Sequence, residues 1–354
     1  MRAGETTPEL VGVLVRARAA TGSPGWKVLP SQPPRFDDAN PRTAAPPAVG
    51  GTLRIAAFNV DNFFTTIADG QARCGPRREA DECRGARSRA GFERQRAKLV
   101  AALLALDADV LALAEIENDG PVAVQALVDA LDARAGPGVY ARVADPPEGC
   151  GSDAVKVALI YRPGRVRPVG PARADTAAIH GRRPIAQAFE PLAPGDEGGQ
   201  ARFELVAVHL KSRRCGDAAG DDADRGDLQG CWSRRRTLQA RAVREFALRA
   251  AAASGASGTL VVGDFNAYAQ EDALVELGAH GFADQAERFD AGGYSFVFDG
   301  AAGRLDQVFA DAAMAARVTG VAAWHIDADE PASADAATPY RASDHDPMLV
   351  GLRP

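Results

Sequence analysis

The sequence lacks several features that would assign the protein to a membrane or repeat class. No run of about 18 apolar residues occurs in its 354 residues, so we expect no membrane anchor. The first residues, MRAGETTPEL, lack the basic and apolar regions of a secretory signal, and no internal repeat occurs. The formal net charge of −6 argues against a general polyanion-binding surface, although a local basic groove or bound metal ions would still accept a phosphate-bearing substrate. With 46% hydrophobic residues, the chain has enough apolar surface for one large α/β domain or two smaller ones.

Cysteine is also scarce, and four of the five cysteines lie in polar, glycine-rich segments where a buried inert thiol is not expected. We therefore predict two disulfides, Cys74–Cys83 and Cys215–Cys231, which leave Cys150 unpaired. Zinc binding is the alternative, but the sequence has no CxxC pair and no nearby histidine with zinc-ligand spacing. Disulfides would place the protein in an oxidising compartment, so we expect a secreted protein whose export signal lies upstream or has been removed.

Two regions differ in composition. In residues 1–50, LVGVLVRARAATGSPGWKVLP predicts a β-hairpin around TGSPG, and a proline-rich linker follows. A lone hairpin is marginal in water, so this region is expected to be the remnant of an upstream β module or to dock on the main body. Residues 51–354 are predicted to form the main domain.

From Thr52 onward, short apolar runs alternate with amphipathic segments. The predicted helices are RAGFERQRAKLVAALLAL, PVAVQALVDALDARAG and SRRRTLQARAVREFALRAAAA. The predicted strands are LRIAAF, ADVLALAEI, DAVKVALIYRP, ARFELVAVHLKS, GTLVVGDFNAY, RLDQVFA, VTGVAAWHI and DPMLVGL. Because strands occur both with and without intervening helices, the pattern favours mixed sheets covered by helices.

Polar residues of metal-binding or acid/base type recur where these apolar strands end. They are Asn59, Asp61, Glu115, Glu117, His209, Lys211, Asp264, Asn266, Asp306, Asp344, His345 and Asp346. Taken singly, Asn59 and Asp306 also suit strand-end caps, and His209 suits a buried core histidine. Such groups are costly to bury unpaired, so their recurrence at six strand ends predicts one shared site. The oxygen-rich set suits a hard cation.

The ordered motifs FNV, AEIEN, HLKS, GDFNA, LDQ and SDHDP resemble those of the endonuclease/exonuclease/phosphatase superfamily, which includes deoxyribonuclease I, exonuclease III, sphingomyelinases and inositol-polyphosphate phosphatases. GDLQGCW, DFNAYAQED, YSFVFDG and WHIDADEP are most similar to its secreted bacterial nucleases. The resemblance covers about residue 50 to the end. It implies an α/β fold: a four-layer α/β sandwich of two mixed β-sheets flanked by helices, with the site across the strand ends.

The resemblance also implies a divalent-metal site, with Mg²⁺ expected and Mn²⁺ or Ca²⁺ as alternatives. Glu115 is the expected main ligand, with Asn59 and Asp344 close by. Asp61 occupies a place that is acidic in some abasic-site relatives but usually apolar in the secreted branch, so its role as a ligand stays open.

Five residues are expected to perform the chemistry by the same resemblance. They are His345, Asp306, Asp264, Asn266 and His209. His345, oriented by Asp306, would act as general base or electrostatic stabiliser. Asp264 would orient or deprotonate the attacking water, and Asn266 would position water and phosphate. His209 would donate a hydrogen bond to the phosphate or leaving group.

Several cations are candidates for substrate contact. Lys211 and Lys156 are predicted to contact phosphate, although Lys156 also suits an ordinary edge-strand position. The arginine run in SRRRTLQARAVREF is more typical of a solvated helix face than of a nucleic-acid contact.

Together these residues predict a monomeric, metal-dependent, secreted nuclease that hydrolyses phosphodiester bonds in DNA and possibly RNA substrates, more as an endonuclease than an exonuclease. A phosphatase or phospholipase C-type phosphodiesterase of the same superfamily is the first alternative. It ranks second because aromatic residues are only 6% of the chain and no exposed aromatic hairpin suited to a membrane is evident. A noncatalytic binding module is the second alternative, and it would be expected to lack one of Glu115, Asp264, Asn266 or His345.

Overall fold

The computed structural model of the chain describes residues 2–18, 24–80, 82–192, 202–331 and 338–353. The strands, in chain order, are β1 (Gly12–Arg18), β2 (Pro24–Pro30), β3 (Leu53–Phe63), β4 (Val110–Glu117), β5 (Ala141–Arg142), β6 (Val155–Tyr161), β7 (Val166–Ala174), β8 (Ile185–Pro191), β9 (Phe203–His209), β10 (Thr259–Asp264), β11 (Ala283–Asp284), β12 (Phe296–Phe298), β13 (Ala301–Gly303), β14 (Asp306–Ala310), β15 (Val318–Ala323) and β16 (Met348–Leu352). The helices are α1 (Arg89–Leu106), α2 (Val122–Ala135), α3 (Ser233–Ser254), α4 (Asp272–Gly278), α5 (Gln285–Phe289) and α6 (Ala312–Ala315).

Twelve of these strands form two six-stranded sheets. The first has the order β15-β16-β3-β4-β6-β5, and the second has the order β11-β14-β10-β9-β8-β7. Each sheet has one parallel pair at its centre, β3 with β4 and β9 with β10, and its other neighbours are antiparallel. Both sheets are therefore mixed, as the sequence predicts.

The sheets pack face to face and helices cover their outer faces. Residues such as Ile55 and Val350 from the first sheet and Leu205 and Val262 from the second share one buried cluster. Helices α1 and α2 pack on the outer side of the first sheet, and α3 and α4 on the outer side of the second. The predicted four-layer α/β sandwich is confirmed, and the polar strand ends lie along one edge of its two central layers.

The long helices begin and end where the sequence places them. At α1, the Ser88 side chain accepts a hydrogen bond from the Gly91 N–H, which caps the first turn. The helix ends at Leu106, and Asp107 adopts a left-handed conformation, φ 48°, that stops it. Capping and apolar spacing therefore place the buried face of α1 on the sheet.

The region before β3 contacts the main domain through its first residues. Strands β1 and β2 pair antiparallel as predicted, and the TGSPG turn falls largely outside the described residues. The buried Arg2 guanidinium donates to Glu330 Oε1 at 2.8 Å and to Asn40 Oδ1 at 3.0 Å. The hairpin itself projects outward, with Trp26 65% exposed. Its origin as the remnant of an upstream module stays a prediction.

The cysteines pair as predicted. Cys74 is bonded to Cys83, Cys215 is bonded to Cys231, and Cys150 is a buried free thiol. The zinc alternative for the four bonded cysteines is therefore wrong.

Across the described ranges, no helix is both long and apolar enough to cross a membrane.

Candidate active site

Neighbouring strand ends bring the predicted polar residues together. In the second sheet, Asp264 at the end of β10 is paired with His209 of β9 on one side and Asp306 of β14 on the other. In the first sheet, β3 and β4 carry Asn59 and Glu115. The Asn59 side-chain amide joins the sheets, because its Nδ2 lies 3.2 Å from Glu115 Oε1 and 3.0 Å from Asp264 Oδ2. The prediction of one shared site therefore corresponds to a single cluster.

The first part of the cluster is a buried histidine–carboxylate pair. His345 Nδ1 lies 2.7 Å from Asp306 Oδ2, which also accepts a 2.7 Å hydrogen bond from Ser295 Oγ. The ring of Phe296 packs against the imidazole with centroids 4.7 Å apart. These contacts hold the ring so that Nε2 points toward Asp264, 3.9 Å from its Oδ2. Asp306 therefore orients His345, in the way that the resemblance implies.

Burial and charge set the proton affinities of this part of the cluster. Burial alone would lower the pKa of His345, but the carboxylates of Asp306 and Asp264 outweigh it and hold that pKa well above the usual value. Burial raises the pKa of Asp264 to about 6, although the His345 charge opposes this shift. Near neutral pH, the His345 imidazolium therefore lies beside the ionised Asp264 carboxylate, which can accept a proton.

Ser343 and Asp346 hold the loop around His345 in register. The Ser343 hydroxyl donates to the Asn59 carbonyl at 2.6 Å and accepts from the His345 backbone N–H at 3.2 Å. Asp346 lies on the other side of His345 and points away from the cluster. Its Oδ1 accepts three backbone N–H groups of residues 326–328, and its Oδ2 lies 2.8 Å from His325 Nδ1. In the SDHDP motif, Asp346 is thus a structural residue that anchors the neighbouring loop.

The second part of the cluster is a group of carboxylates around Glu115. Glu115 Oε2 accepts a 2.9 Å hydrogen bond from the Asn62 backbone N–H. Burial, followed by the charge of Asp344, raises the pKa of Glu115 to about 7. Asp61 stands at the exposed rim, where desolvation by surrounding protein atoms and then the Asp344 charge raise its pKa. The raised pKa values of Glu115 and Asp61 show that the protein alone compensates their negative charge poorly.

This crowding is the observation that fits a divalent cation. Within the described residues, no lysine or arginine forms an ion pair with Glu115 or Asp344. Oxygen donors from Glu115, Asp344 and the Asn59 amide are those that Mg²⁺ prefers. Asp264, Asp306 and His345 also bring potential ligand atoms within 4.8 Å of one another. In that trio, however, the His345 Nδ1 position is occupied by its bond to Asp306, so the Glu115 group fits the ion better.

His209 contacts a residue that the sequence analysis missed. Its imidazole is buried, and burial with the charges of Arg182 and His345 holds its pKa well below the usual value. Arg182 Nη1 lies 2.9 Å from His209 Nε2. Because a guanidinium only donates hydrogen bonds, His209 Nε2 must accept this one. Arg182 therefore supplies the donor in this contact, and it also donates to the Leu210 carbonyl.

Asn266 completes the cluster from the segment after β10. Its backbone N–H donates to Asp264 Oδ1 at 2.8 Å, and its side-chain amide donates to the Leu210 carbonyl at 3.3 Å. Its left-handed conformation, φ 48°, turns the chain sharply at the end of the strand.

Of the two lysines predicted to contact phosphate, one lies near the cluster and the other does not. Lys211 lies two residues after the end of β9 and lines a cavity with Arg182 next to the cluster. Lys156 does not join this group, so the prediction that it contacts phosphate is wrong. Its side chain is fully buried, and Nζ lies 2.7 Å from both Asp145 carboxylate oxygens and from the Gly120 carbonyl. Lys156 is therefore held in an internal ion pair that leaves no donor for a phosphate.

The arginine run of α3 is not uniformly a solvated face. Arg236 is fully buried, where it pairs with Glu271 at 3.1 Å and donates to the carbonyls of Gln229 and Cys231. Arg234, by contrast, is 60% exposed and pairs with Asp221. The expectation of a solvated face therefore holds for Arg234 but is wrong for Arg236.

The raised pKa values predict how metal and pH affect stability. For Glu115 and Asp264, the folded-state pKa of about 7 and about 6 exceeds the ordinary values of 4.5 and 3.8. The folded protein then binds more protons than the unfolded chain across this window, so the metal-free protein should lose stability as pH rises from about 4 to about 7. The raised pKa of His345 acts in the same direction, since its contribution is lost as pH rises through the folded value.

We therefore expect added Mg²⁺ to raise the Tm by several degrees more at pH 8 than at pH 5, because the ion binds the ionised carboxylates. Thermal melts in EDTA and in excess Mg²⁺ at both pH values measure this difference. Equal stabilisation at the two pH values would contradict the assignment of the cation to Glu115 and its neighbours.

The chain was compared with known protein families, sequences and structures. A family model described as the endonuclease/exonuclease/phosphatase family matches residues 56–345. The comparison with curated protein sequences found no match.

Solved structures resemble the chain in fold at low sequence identity. A mannosyl-6-phosphatase of Bacteroides thetaiotaomicron VPI-5482 has a TM-score of 0.53 and 16% identity, with 85% of this chain and 99% of that chain covered. An endonuclease/exonuclease/phosphatase family protein of Leptotrichia buccalis has a TM-score of 0.52 and 14% identity over 85% and 99%. TDP2 from C. elegans has a TM-score of 0.51 and 14% identity over 84% and 74%. These similarities support the two-sheet sandwich, and the functional argument depends on the residues of the cluster.

Proposed function

The chain belongs to the endonuclease/exonuclease/phosphatase family, whose members hydrolyse phosphodiester or phosphate ester bonds, and from this we propose that it is a metal-dependent nuclease. The observation that carries the proposal is the convergence of the His345–Asp306 pair, Asp264 and Glu115 at one edge of both sheets. Such a site offers a proton acceptor, positive charge and a cation position around one phosphate, which are the requirements of phosphodiester hydrolysis.

In the proposed mechanism, Asp264 accepts the proton of the attacking water. Its pKa of about 6 leaves it ionised at neutral pH and close enough to neutrality to act as a base. Asn59 and the Asn266 backbone N–H hold its two oxygens, so the accepting lone pairs have a defined direction. His345 keeps its proton because Asp306 and Asp264 stabilise the imidazolium, and its Nε2–H is directed at the negative charge that develops on the phosphate.

Arg182 takes the role that the resemblance assigns to His209. The guanidinium donates to His209 Nε2, so the neutral imidazole orients the arginine and is not itself a donor through that atom. Arg182 is thus proposed to stabilise the nonbridging oxygens of the phosphate, and His209 to position it.

A cation held by Glu115, Asp344 and Asn59 would act as a Lewis acid on the phosphate oxygens and stabilise charge on the leaving oxygen. Mg²⁺ is the expected ion, and Mn²⁺ is the expected substitute. Asp61 at the rim is proposed to contribute through its charge.

A polymeric substrate is supported by two basic cavities lined by residues of the cluster or their neighbours. One of about 160 Å³ is lined by Arg182, Lys211 and Arg235. The other, of about 340 Å³, lies next to Asp61 and is lined by Arg84, Arg94, Lys98 and Arg341 among others. Cations spread over two cavities suit an extended polyanion better than an isolated phosphate group.

We also propose that the protein is secreted, like the bacterial nucleases that its motifs resemble. The two disulfides support an oxidising compartment, because cytosolic thiols are normally kept reduced.

Incubation with supercoiled plasmid, linear duplex, single-stranded DNA and RNA tests the proposal, each with Mg²⁺, Mn²⁺, Ca²⁺ or EDTA. Nicking of the plasmid in Mg²⁺ and its loss in EDTA are the expected results. If no polymer is cleaved while a sugar phosphate or a phospholipid headgroup is hydrolysed, the protein is a phosphatase or phospholipase of the family instead. If no phosphate ester of any kind is hydrolysed, the noncatalytic alternative is favoured.

A further inference from the structure

The smaller basic cavity has a composition that is unusual beside an acidic cluster. It is lined by Arg182, Lys211 and Arg235 together with Trp232 and Gln239, and its one carboxylate is Asp153. That carboxylate is already paired with Arg84 at 3.1 Å. The cavity therefore holds three positive charges and no negative charge of its own that is free to neutralise them.

Lys211 and Arg235, like Arg182, lack a carboxylate partner among the described residues. Arg235 donates Nη2 to the Ile179 carbonyl at 3.1 Å, and the Lys211 ammonium lies 4.5 Å from the ring centroid of Trp232. Neither has a carboxylate within ion-pair distance among the residues that the structure describes. Burial, with the charges of Arg182 and Arg235, also lowers the pKa of Lys211, which reflects the same uncompensated positive charge. An anion that entered the cavity would relieve this repulsion.

The walls of the cavity are held in place by their own hydrogen bonds. Gln239 accepts from the Lys211 backbone N–H at 2.9 Å and donates to the Ile179 carbonyl at 3.2 Å. Trp232 follows the bridged Cys231 directly, and its indole N–H donates to the Arg214 carbonyl at 2.9 Å. The Cys215–Cys231 disulfide thus joins the two segments that position Trp232. A cavity with walls of this kind is organised before a ligand arrives.

Arg182 connects the cavity to the catalytic cluster. Its guanidinium lines the cavity and also contacts His209, which lies 3.4 Å from Asp264. A group bound in the cavity would therefore lie next to the reacting phosphate, with the Arg182 side chain between the two positions.

We propose that this cavity is a second phosphate-binding subsite, formed by Lys211, Arg235 and Trp232, which holds a neighbouring phosphate of a polymeric substrate. The assignment of that phosphate to a nucleic acid rests on the proposed function. The subsite itself requires only an anion of phosphate type.

The variants Lys211→Gln and Arg235→Gln test the subsite, with Arg234→Gln as the matched control on the exposed side of the same helix turn. For duplex DNA, we expect the two subsite variants to raise KM about tenfold and to reduce the slope of log KM against log salt concentration by about one. For bis(p-nitrophenyl) phosphate, which carries a single phosphate, the loss in kcat/KM should be several times smaller. Arg234→Gln should resemble the wild type with both substrates.

Binding of inorganic phosphate provides a test that does not require hydrolysis. Phosphate should quench the fluorescence of Trp232 in a saturable way, and the Trp232→Phe variant identifies that signal against the other tryptophans. The Arg235→Gln variant should weaken this binding at least fivefold, whereas Arg234→Gln should not.

The two proposals fail in different ways. If the wild type cleaves no nucleic acid, the proposed function is wrong, and the phosphate titration still decides whether the subsite exists. If DNA is cleaved but Lys211→Gln and Arg235→Gln behave like Arg234→Gln in both assays, the subsite is wrong and the nuclease proposal stands.

Discussion

Replacing His345 with alanine is expected to lower the turnover of duplex DNA about a thousandfold, at the upper end of what loss of one preorganised charge-stabilising donor costs. The physical reason is the loss of a buried positive charge that Asp306 and Asp264 stabilise and whose Nε2–H faces the cluster. KM should change much less than kcat, because the interaction strengthens only as charge develops on the phosphate. Steady-state rates on duplex DNA in Mg²⁺ measure both parameters.

His280→Ala is the matched control. His280 is an exposed histidine whose Nδ1 lies 2.7 Å from the Glu276 carbonyl, outside the cluster. It should retain full activity, and both variants should keep the circular dichroism spectrum of the wild type. A His345→Ala protein that is folded and fully active would overturn the proposed mechanism.

Replacing Glu115 with glutamine is expected to reduce activity by a similar factor through a different cause. The substitution keeps the shape of the side chain and its ability to accept from the Asn62 N–H, but it removes the negative charge that Glu115 contributes to cation binding beside Asp344. Mn²⁺ affinity, measured by titration calorimetry, should fall at least tenfold. High metal concentrations should restore part of the activity.

Glu93→Gln is the corresponding control, since Glu93 is a half-exposed helix residue paired with Arg96. It should bind Mn²⁺ like the wild type. If Glu115→Gln also retained wild-type Mn²⁺ affinity, the cation would have to be assigned to another donor set, with Asp264, Asp306 and His345 as the first candidate.

The sequence predicts the fold well wherever a strand or helix carries its own signal. Strand β10 is a short, continuous apolar run between a glycine and a polar end, and α1 has a capping serine and helical apolar spacing. Strands β7 and β8 were missed because their signals are weak. Strand β7 contains Pro168 and Pro171, which a strand tolerates at the edge of a sheet, and β8 contains the buried Gln187. Position within the sheet, which is a tertiary property, decides these cases.

The same limit explains what sequence reasoning found and missed in the candidate site. His209 and Asp264 are the last residues of apolar strands and Asp306 is the first residue of another, so their proximity follows once those strands are neighbours. Arg182 precedes a strand that was not predicted, and in an arginine-rich chain it has no local signal to distinguish it.

Lys156 illustrates the opposite error. Its partner Asp145 lies in a preceding loop, and nothing in the pattern of β6 reveals that the lysine points inward toward it. Hydrophobic periodicity therefore does not show that a lysine is buried against a carboxylate from another segment of the chain.

The left-handed backbone at the cluster has a consequence for laboratory evolution. Glu115 and Asn266 both have positive φ, 66° and 48°, which non-glycine residues adopt at a cost of roughly 1 kcal/mol each. At Glu115 the crowded carboxylate adds to that cost. A library screened only for thermal stability is therefore expected to enrich variants that replace Glu115 with glycine or asparagine, and these thermostable variants are expected to be inactive. A screen for thermostable variants of this protein therefore needs to measure product formation in every round.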